Sequence, residues 1–498
     1  MGRRQRKRRG NHASPPVNEA TIEDDEESSQ FYQIEMSDVM GRYLVAKSDI
    51  PAGTVILEEN PLVVGPSQGT SPICIACYEP IQLSTCARCK SCSWPLCRNN
   101  CQAIGNNYGH LQQECEILKY SEVIPSSENS LYNVLTPLRV LLLKNQNETE
   151  WSIISSMEAH QKFRQTTEMW KSDEIIINYV KNNTKLTQLT EDAVHSVCGY
   201  IQVNGFGVEG KDVTAIFPSA FLLSHDCTPN TTHVIDSKFH LTIRTTIPIK
   251  KGDPLTISYC NTLHGSMWRR EQLLGSKFFD CTCKRCSDKT EFNTFMSAIK
   301  CENCQNGYLL PANPLYNCSD WKCDKCCNQK QKEIIYNFIN RLFEEAEQLT
   351  NGTVSDNEKF LLTQQKYLHP NHFVLLSIKL KLSQLYGKSH DCIIHNMTED
   401  QLKRKINICK DIIKILDVIE PGLSRIRGIT LYEIHAPTFI LGMNHFKKSN
   451  DKRKFKQVIK EVKCLLHEST TILNIEDPTS KEGQVGKAAA DALKQMES

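Results

Sequence analysis

Between Cys74 and Cys115, seven cysteines and one histidine fall into the pairs Cys74/Cys77, Cys89/Cys92, Cys97/Cys101 and His110/Cys115, spaced C-x2-C, C-x2-C, C-x3-C and H-x4-C. Zinc takes four thiolate or imidazole ligands in a tetrahedron, and a two-residue gap lets one knuckle present both sulfurs to one ion. Eight such donors serve two ions, whereas buried free thiols would need no pairing. Cys86 forms a competing C-x2-C with Cys89 and is read as a spare thiol. A second set, Cys281-x-Cys283-x2-Cys286, supplies three ligands and needs a fourth from elsewhere, for which Cys227 is the best donor. A third, Cys301-x2-Cys304-x18-Cys323-x2-Cys326, has the spacing of a zinc ribbon, with Cys318 and Cys327 as substitutes nearby. The other cysteines, Cys198 and Cys260 among them, are read as small buried hydrophobes.

The elements that must position these ligands follow from periodicity. Arg42–Ala46, a Pro51-Ala52-Gly53 turn and Thr54–Leu57 read as a β-hairpin. Residues 130–200 carry helical spacing of apolar residues, and strand-like runs return between Val213 and Tyr259. Amphipathic helices are expected at Ile334–Leu349, His372–Tyr386, Leu402–Leu416, Leu423–Phe446 and Phe455–Leu473. The fold class is therefore α+β, with the sheet-forming material split by a cysteine module and a helical insertion.

Composition bounds the function. The chain has 498 residues, 23 cysteines and a net charge of +2, enough length for several cores and no global bias toward nucleic acid. It shows no apolar N-terminal signal and nothing near the roughly 18 apolar residues of a membrane span, so reduced thiols inside a cell are expected. Charge is local at the start. Arg3, Arg4, Arg6, Lys7, Arg8 and Arg9 precede an acidic run from Glu23 to Glu27. Such a tail reads as solvated and disordered, with a nuclear address as a functional overlay and the one place where direct nucleic-acid contact would be looked for.

Ser224-His225-Asp226-Cys227-Thr228-Pro229-Asn230 resembles the N-H-S-C-x-P-N signature of SET-domain methyltransferases. Gly252-Asp253-Pro254-Leu255-Thr256-Ile257-Ser258-Tyr259 resembles their second signature, which ends in the active-site tyrosine. With the cysteine module before them, these motifs resemble the SET and MYND domain (SMYD) family, and Gly41–Ala46 and Trp94-Pro95-Leu96-Cys97 resemble its arthropod branch. The resemblance covers roughly residues 31–445. After the charged tail (1–30), it implies an N-terminal SET part (31–73), a MYND zinc finger (74–115), a helical insertion (116–200) and a SET core (201–265). A post-SET zinc segment (266–290) and a TPR-like helical domain (331–498) would follow, with the ribbon read from its own cysteine spacing (291–330) between them.

The resemblance also implies the chemistry: transfer of a methyl group from S-adenosylmethionine to a lysine of a histone or other protein, with three to four structural zinc ions. Cys74, Cys77, Cys97 and Cys101 would hold one MYND ion, and Cys89, Cys92, His110 and Cys115 the other. Tyr259 would be catalytic. Gly41, Asn204, Phe206, Ser224, His225 (through its backbone), Tyr259 and Phe279 (by stacking on adenine) would line the cofactor cleft. The chain departs from the pattern at Tyr43, where a second glycine is common, and at Ser224 and Asp226, where the family has Asn and Ser. The lost Asn removes a hydrogen bond to the cofactor worth about 1–3 kcal/mol. The alternative reading is a scaffold that binds partner proteins. In either reading the MYND module would take proline-containing peptides, and a monomer in cytoplasm or nucleus is expected.

Overall fold

The computed structural model describes residues 30–121, 123–126, 131–186, 188–304, 306–390 and 392–497. The basic and acidic runs before Gln30 lie outside them. The architecture is the expected α+β one. Its β core is assembled from the two ends of a long segment: Val55–Glu59 pairs with Leu241–Thr245, which pairs with Thr231–Ile235, all antiparallel. Val63–Pro66 pairs with Val213–Ile216, whose other edge takes Phe206–Gly207. Everything between residues 66 and 206 is thus an excursion from one sheet system, and a single apolar cluster from Leu44 to Ile257 joins both.

The expected hairpin of Arg42–Ala46 with Thr54–Leu57 is not formed. Gly41–Ala46 pairs with Tyr32–Ser37 instead, and Val55–Glu59 goes to Leu241–Thr245. The turn at Pro51–Gly53 gives its backbone groups to another strand: Gly53 N–H donates to the Thr245 carbonyl at 2.9 Å, and Ile50 exchanges bonds with Ile249. Backbone donors must find acceptors when buried, and here the distant segment supplies them.

The cysteine module is pinned to the helical insertion by Trp94, which is fully buried and meets Tyr132 and Tyr179 edge-on. Arg139, from the helix Tyr132–Gln146, donates to the carbonyls of Val64 and Ile75 and to Glu114. The helix Glu191–Asn204 begins at Thr190, whose hydroxyl accepts the Ala193 N–H, with Glu191 and Asp192 in its first turn. That is a favourable start, since anions suit a helix N-terminus.

Beyond the core, Ile299–Lys300, Tyr308–Pro311, Trp321–Cys323 and Gln329–Lys330 form a four-stranded antiparallel sheet. The helices Lys332–Gln348, Phe373–Leu385, Glu399–Ile419, Arg425–Ser449 and Lys452–Leu473 stand where periodicity placed them. Val354–Gln364 and Lys481–Glu497 are additional, and the first carries a capping box between Thr353 and Asp356. Gly422, with φ of +82°, docks this array on the core. An added Cβ there would lie 1.9 Å from the Thr246 carbonyl oxygen, so glycine alone permits the approach. No helix among the described residues is long and apolar enough to cross a membrane.

Candidate active site and metal centres

Among the described residues four groups of four donors converge, each with its ligand atoms mutually within 4.8 Å: Cys74/Cys77/Cys97/Cys101, Cys89/Cys92/His110/Cys115, Cys227/Cys281/Cys283/Cys286 and Cys301/Cys304/Cys323/Cys326; His225, Cys227 and Cys260 form a fifth, three-donor group that shares Cys227. A tetrahedron with zinc–sulfur bonds of about 2.3 Å has edges of about 3.8 Å. Sulfur separations of 3.9 Å (Cys74–Cys101), 3.6 Å (Cys89–Cys115), 3.5 Å (Cys227–Cys286) and 3.7 Å (Cys304–Cys323) match such edges. The donor sets fit zinc. Cys86 stays outside, its thiol turned to the Leu83 carbonyl, and Cys318 and Cys327 are exposed and apart from the ribbon set.

His110 shows how the second group is held. Its Nε2 lies 3.4 Å from Cys92 Sγ, while Nδ1 is 2.7 Å from Glu114, itself bound by Arg139. The carboxylate accepts a hydrogen bond from Nδ1–H, which leaves Nε2 free as the ligand atom, the usual second partner of a metal-bound imidazole. Glu114 and Arg139 are supports that spacing did not reveal, although Glu114 stands only four residues after His110, in the first turn of the helix Gln112–Leu118.

The two signature segments meet directly. Ser224–His225 runs parallel to Thr256–Ile257, with Ser224 opposite Thr256 and His225 opposite Ile257. This pairing delivers Tyr259 to His225: the Tyr259 N–H donates to His225 Nδ1 at 3.0 Å, and His225 Nε2 is 3.3 Å from Cys227 Sγ. An acceptor Nδ1 leaves the proton on Nε2, aimed at the thiolate. Beside the backbone role expected of His225, its imidazole ties Tyr259 to the Cys227 group. The rings of His225, Tyr259 and Phe279 stand 5.3, 5.8 and 6.5 Å apart. The Tyr259 hydroxyl donates to the Leu223 carbonyl, and burial raises its pKa. Ser224 Oγ is buried without a partner, an orphaned hydroxyl of the kind a ligand satisfies.

The remaining expected cleft residues are placed unequally. Gly41 is exposed with φ of +66° and open space where a Cβ would stand. Its neighbour Arg42 anchors the strand over Phe221, at 5.5 Å from the ring centre. Tyr43 reaches Glu35 across the hairpin at 3.3 Å. Asn204 donates to the carbonyls of Glu158 and Tyr200. Phe206 instead lies edge-on to Phe217 and His233. Asp226 accepts the Thr228 N–H at 2.7 Å, shaping the turn into Pro229.

Arg269, Arg285 and Glu291, all fully buried, were not singled out by the sequence. Glu291 pairs with Arg269 at 2.7 Å and Arg285 at 3.1 Å, while Arg269 reaches Cys286 Sγ at 3.6 Å and Arg285 the Cys227 carbonyl at 3.0 Å. Four thiolates around a dication would leave excess negative charge, which these guanidinium groups are placed to offset. Lys277 is the other unforeseen residue, with Nζ 5.7 Å over the Tyr259 ring.

The paired signature strands and the aromatic cluster beside a cysteine group define a SET-domain protein, and a SET domain family model matches residues 41–260. The chain is 25% identical over 375 residues to SET domain-containing protein SmydA-8, isoform A, of Drosophila melanogaster, covering 70% of this chain and 77% of that one. It is 26% identical over 301 residues to SET domain and MYND-type zinc finger protein 6 of Schizosaccharomyces pombe (57% and 58% covered). It is 25% identical over 300 residues to Histone-lysine N-methyltransferase Smyd1 of Mus musculus (54% and 59% covered). The chain thus carries a SET domain and is similar over much of its length to SET and MYND domain proteins.

Proposed function

We propose that the chain is an S-adenosylmethionine-dependent protein-lysine N-methyltransferase with Tyr259 as its catalytic residue. The observation that carries this reading is the Tyr259 hydroxyl, buried among His225 and Phe279 and bonded to the Leu223 carbonyl. S-Adenosylmethionine, when bound, supplies a methyl group on a sulfonium sulfur. The protein must present a neutral amine in line with it, away from water, against a free lysine pKa of about 10.4. An apolar, buried surround favours the neutral amine. With its O–H donated to the Leu223 carbonyl, the Tyr259 oxygen has lone pairs free to accept an amine N–H and fix its direction. Ser224 Oγ offers an unused hydroxyl to the cofactor, Phe279 a ring face, and Gly41 an open backbone.

A cavity of about 340 Å³ lies beside this centre, lined by Ser258 and Cys260 from the core and by Glu420 and Arg425 from the helical array. We assign it to the incoming protein chain. The domain limits expected from the sequence, proline-containing partners at the MYND module, a monomeric state and a cytoplasmic or nuclear setting are part of the same proposal. Nothing observed favours the scaffold reading over it.

The test is labelled methyl transfer to a panel of acceptor proteins by zinc-replete protein. Wild type transfers label, and Tyr259→Phe loses about a hundredfold in turnover with cofactor affinity unchanged, because the hydroxyl acts in the transition state. Equal turnover would remove Tyr259 from its role. Failure of wild type to bind cofactor or transfer label would overturn the enzyme reading.

A further inference from the structure

Lys277 ends the helix Ser266–Lys277, where a lysine is unremarkable, yet the residue is half-buried and its ammonium is turned onto the protein. Nζ donates to the carbonyls of Val203 at 2.7 Å and Gln202 at 3.2 Å. Both belong to the last turn of the helix Glu191–Asn204, whose terminal carbonyls lack intrahelical donors and carry the negative end of the helix dipole. The anchored cation stands 5.7 Å over the Tyr259 ring.

The groups around it do not neutralise it. From the core side come the Tyr259 phenol, bonded to Leu223, and the His225 ring, engaged by Tyr259 N–H and Cys227. From the loop before Gln161 comes Glu158, whose carboxylate takes the N–H groups of Ala159 and His160 and lies 3.5 Å from the His160 ring. Asp280, just beyond the helix, pairs with Arg270 at 3.1 Å. Among the described residues no carboxylate forms an ion pair with Nζ. Burial accordingly lowers the Lys277 pKa to about 8.

Resting on the methyltransferase reading, we infer that Lys277 is a charge gate of the cofactor cleft. Its ammonium opposes the positive sulfonium of S-adenosylmethionine and tolerates the uncharged sulfur of S-adenosylhomocysteine. The two ligands share every other charged group, so the ratio of their affinities isolates the sulfur. Below the Lys277 pKa the gate is charged and the methyl donor is disfavoured. As pH rises through that value the charge is lost and the donor binds better, while the thioether is unaffected. A like unit charge on the wall of a partly screened cleft corresponds to about tenfold in affinity.

The experiment is calorimetric titration of full-length, zinc-replete protein with each ligand at pH 6.5 and 9.5. Wild type, Lys277→Met, Lys277→Gln and Lys277→Arg are compared. In wild type the Kd ratio, donor over thioether, falls about tenfold between the two pH values. Lys277→Met shows the low ratio at both. Should the apolar variant misfold, Lys277→Gln keeps an N–H for the helix end and gives the same low ratio. Lys277→Arg, charged throughout, keeps the high ratio at both. A ratio unchanged by Lys277→Met or Lys277→Gln, with both ligands still bound, overturns the gate and leaves the enzyme reading intact. If neither ligand binds any folded form, the enzyme reading falls and the gate with it.

Discussion

Tyr259 gives its backbone N–H to His225 Nδ1 at 3.0 Å, across 34 residues of sequence. The other ring nitrogen faces Cys227 Sγ, so one imidazole couples the proposed catalytic residue to the Cys227/Cys281/Cys283/Cys286 donor group. The tautomer and ring angle of such a bridge both bear on where the phenol points, because its backbone is held by the same ring.

His225→Phe keeps a ring of similar size and removes both nitrogens. The Tyr259 N–H is left without its acceptor, a cost of about 1–3 kcal/mol when buried. We expect a lower thermal unfolding midpoint and turnover reduced by at least tenfold at matched folded concentration. Unchanged turnover would show that the bond does not position Tyr259.

Ser224→Ala separates stability from binding. Because Ser224 Oγ has no partner within the protein, its loss should move denaturant stability by no more than about 0.5 kcal/mol. Cofactor affinity should fall about fivefold, the equivalent of one net hydrogen bond. Equal affinity in both proteins would mean the hydroxyl faces elsewhere when cofactor is bound.

Four zinc ions per chain are expected by native mass spectrometry, since four complete donor sets converge. Cys304→Ser should lower the count to three and loosen only the sheet around Trp321, because zinc binding supplies local folding free energy. A wild-type count of one or none would contradict the four-centre architecture.

Acid sensitivity should trace in part to Glu291. Burial alone would raise its pKa, but Arg269 and Arg285 override that and hold it below the ordinary carboxylate value. A depressed folded pKa contributes stability above the unfolded value of about 4.3, and that contribution is lost as pH falls through the lower folded value. Glu291→Gln strands two buried guanidinium groups and should cost about 3–5 kcal/mol at pH 7. The gap between wild type and variant in urea midpoint should then narrow from pH 7 toward pH 3. A gap that stays constant or widens would contradict the assignment.

The ligand cysteines were legible because chelation writes itself into short spacings: one knuckle is a local object, and its residue types are chemically costly to substitute. The same holds for Ser224–Asn230 and Gly252–Tyr259, whose types stand together in the chain, and for most C-terminal helices, whose apolar period is local. Even the distant fourth ligand, Cys227, could be named, since three cysteines require one more. What sequence left undecided was every relationship that depends on segments meeting. Val55–Glu59 carries a strand pattern but no record of its partner, and backbone pairing chose Leu241–Thr245 over the nearer Gly41–Ala46. Phe206 sits two residues from Asn204 yet packs on Phe217 and His233, because it lies on a strand edge whose neighbours are fixed by register. Lys277 is an ordinary last-turn lysine by spacing. Only the packing of its helix against Glu191–Asn204 brings free carbonyls within reach and turns its charge toward Tyr259. Residue type and spacing determine which bonds are available, and the burial of one element against another decides which are made.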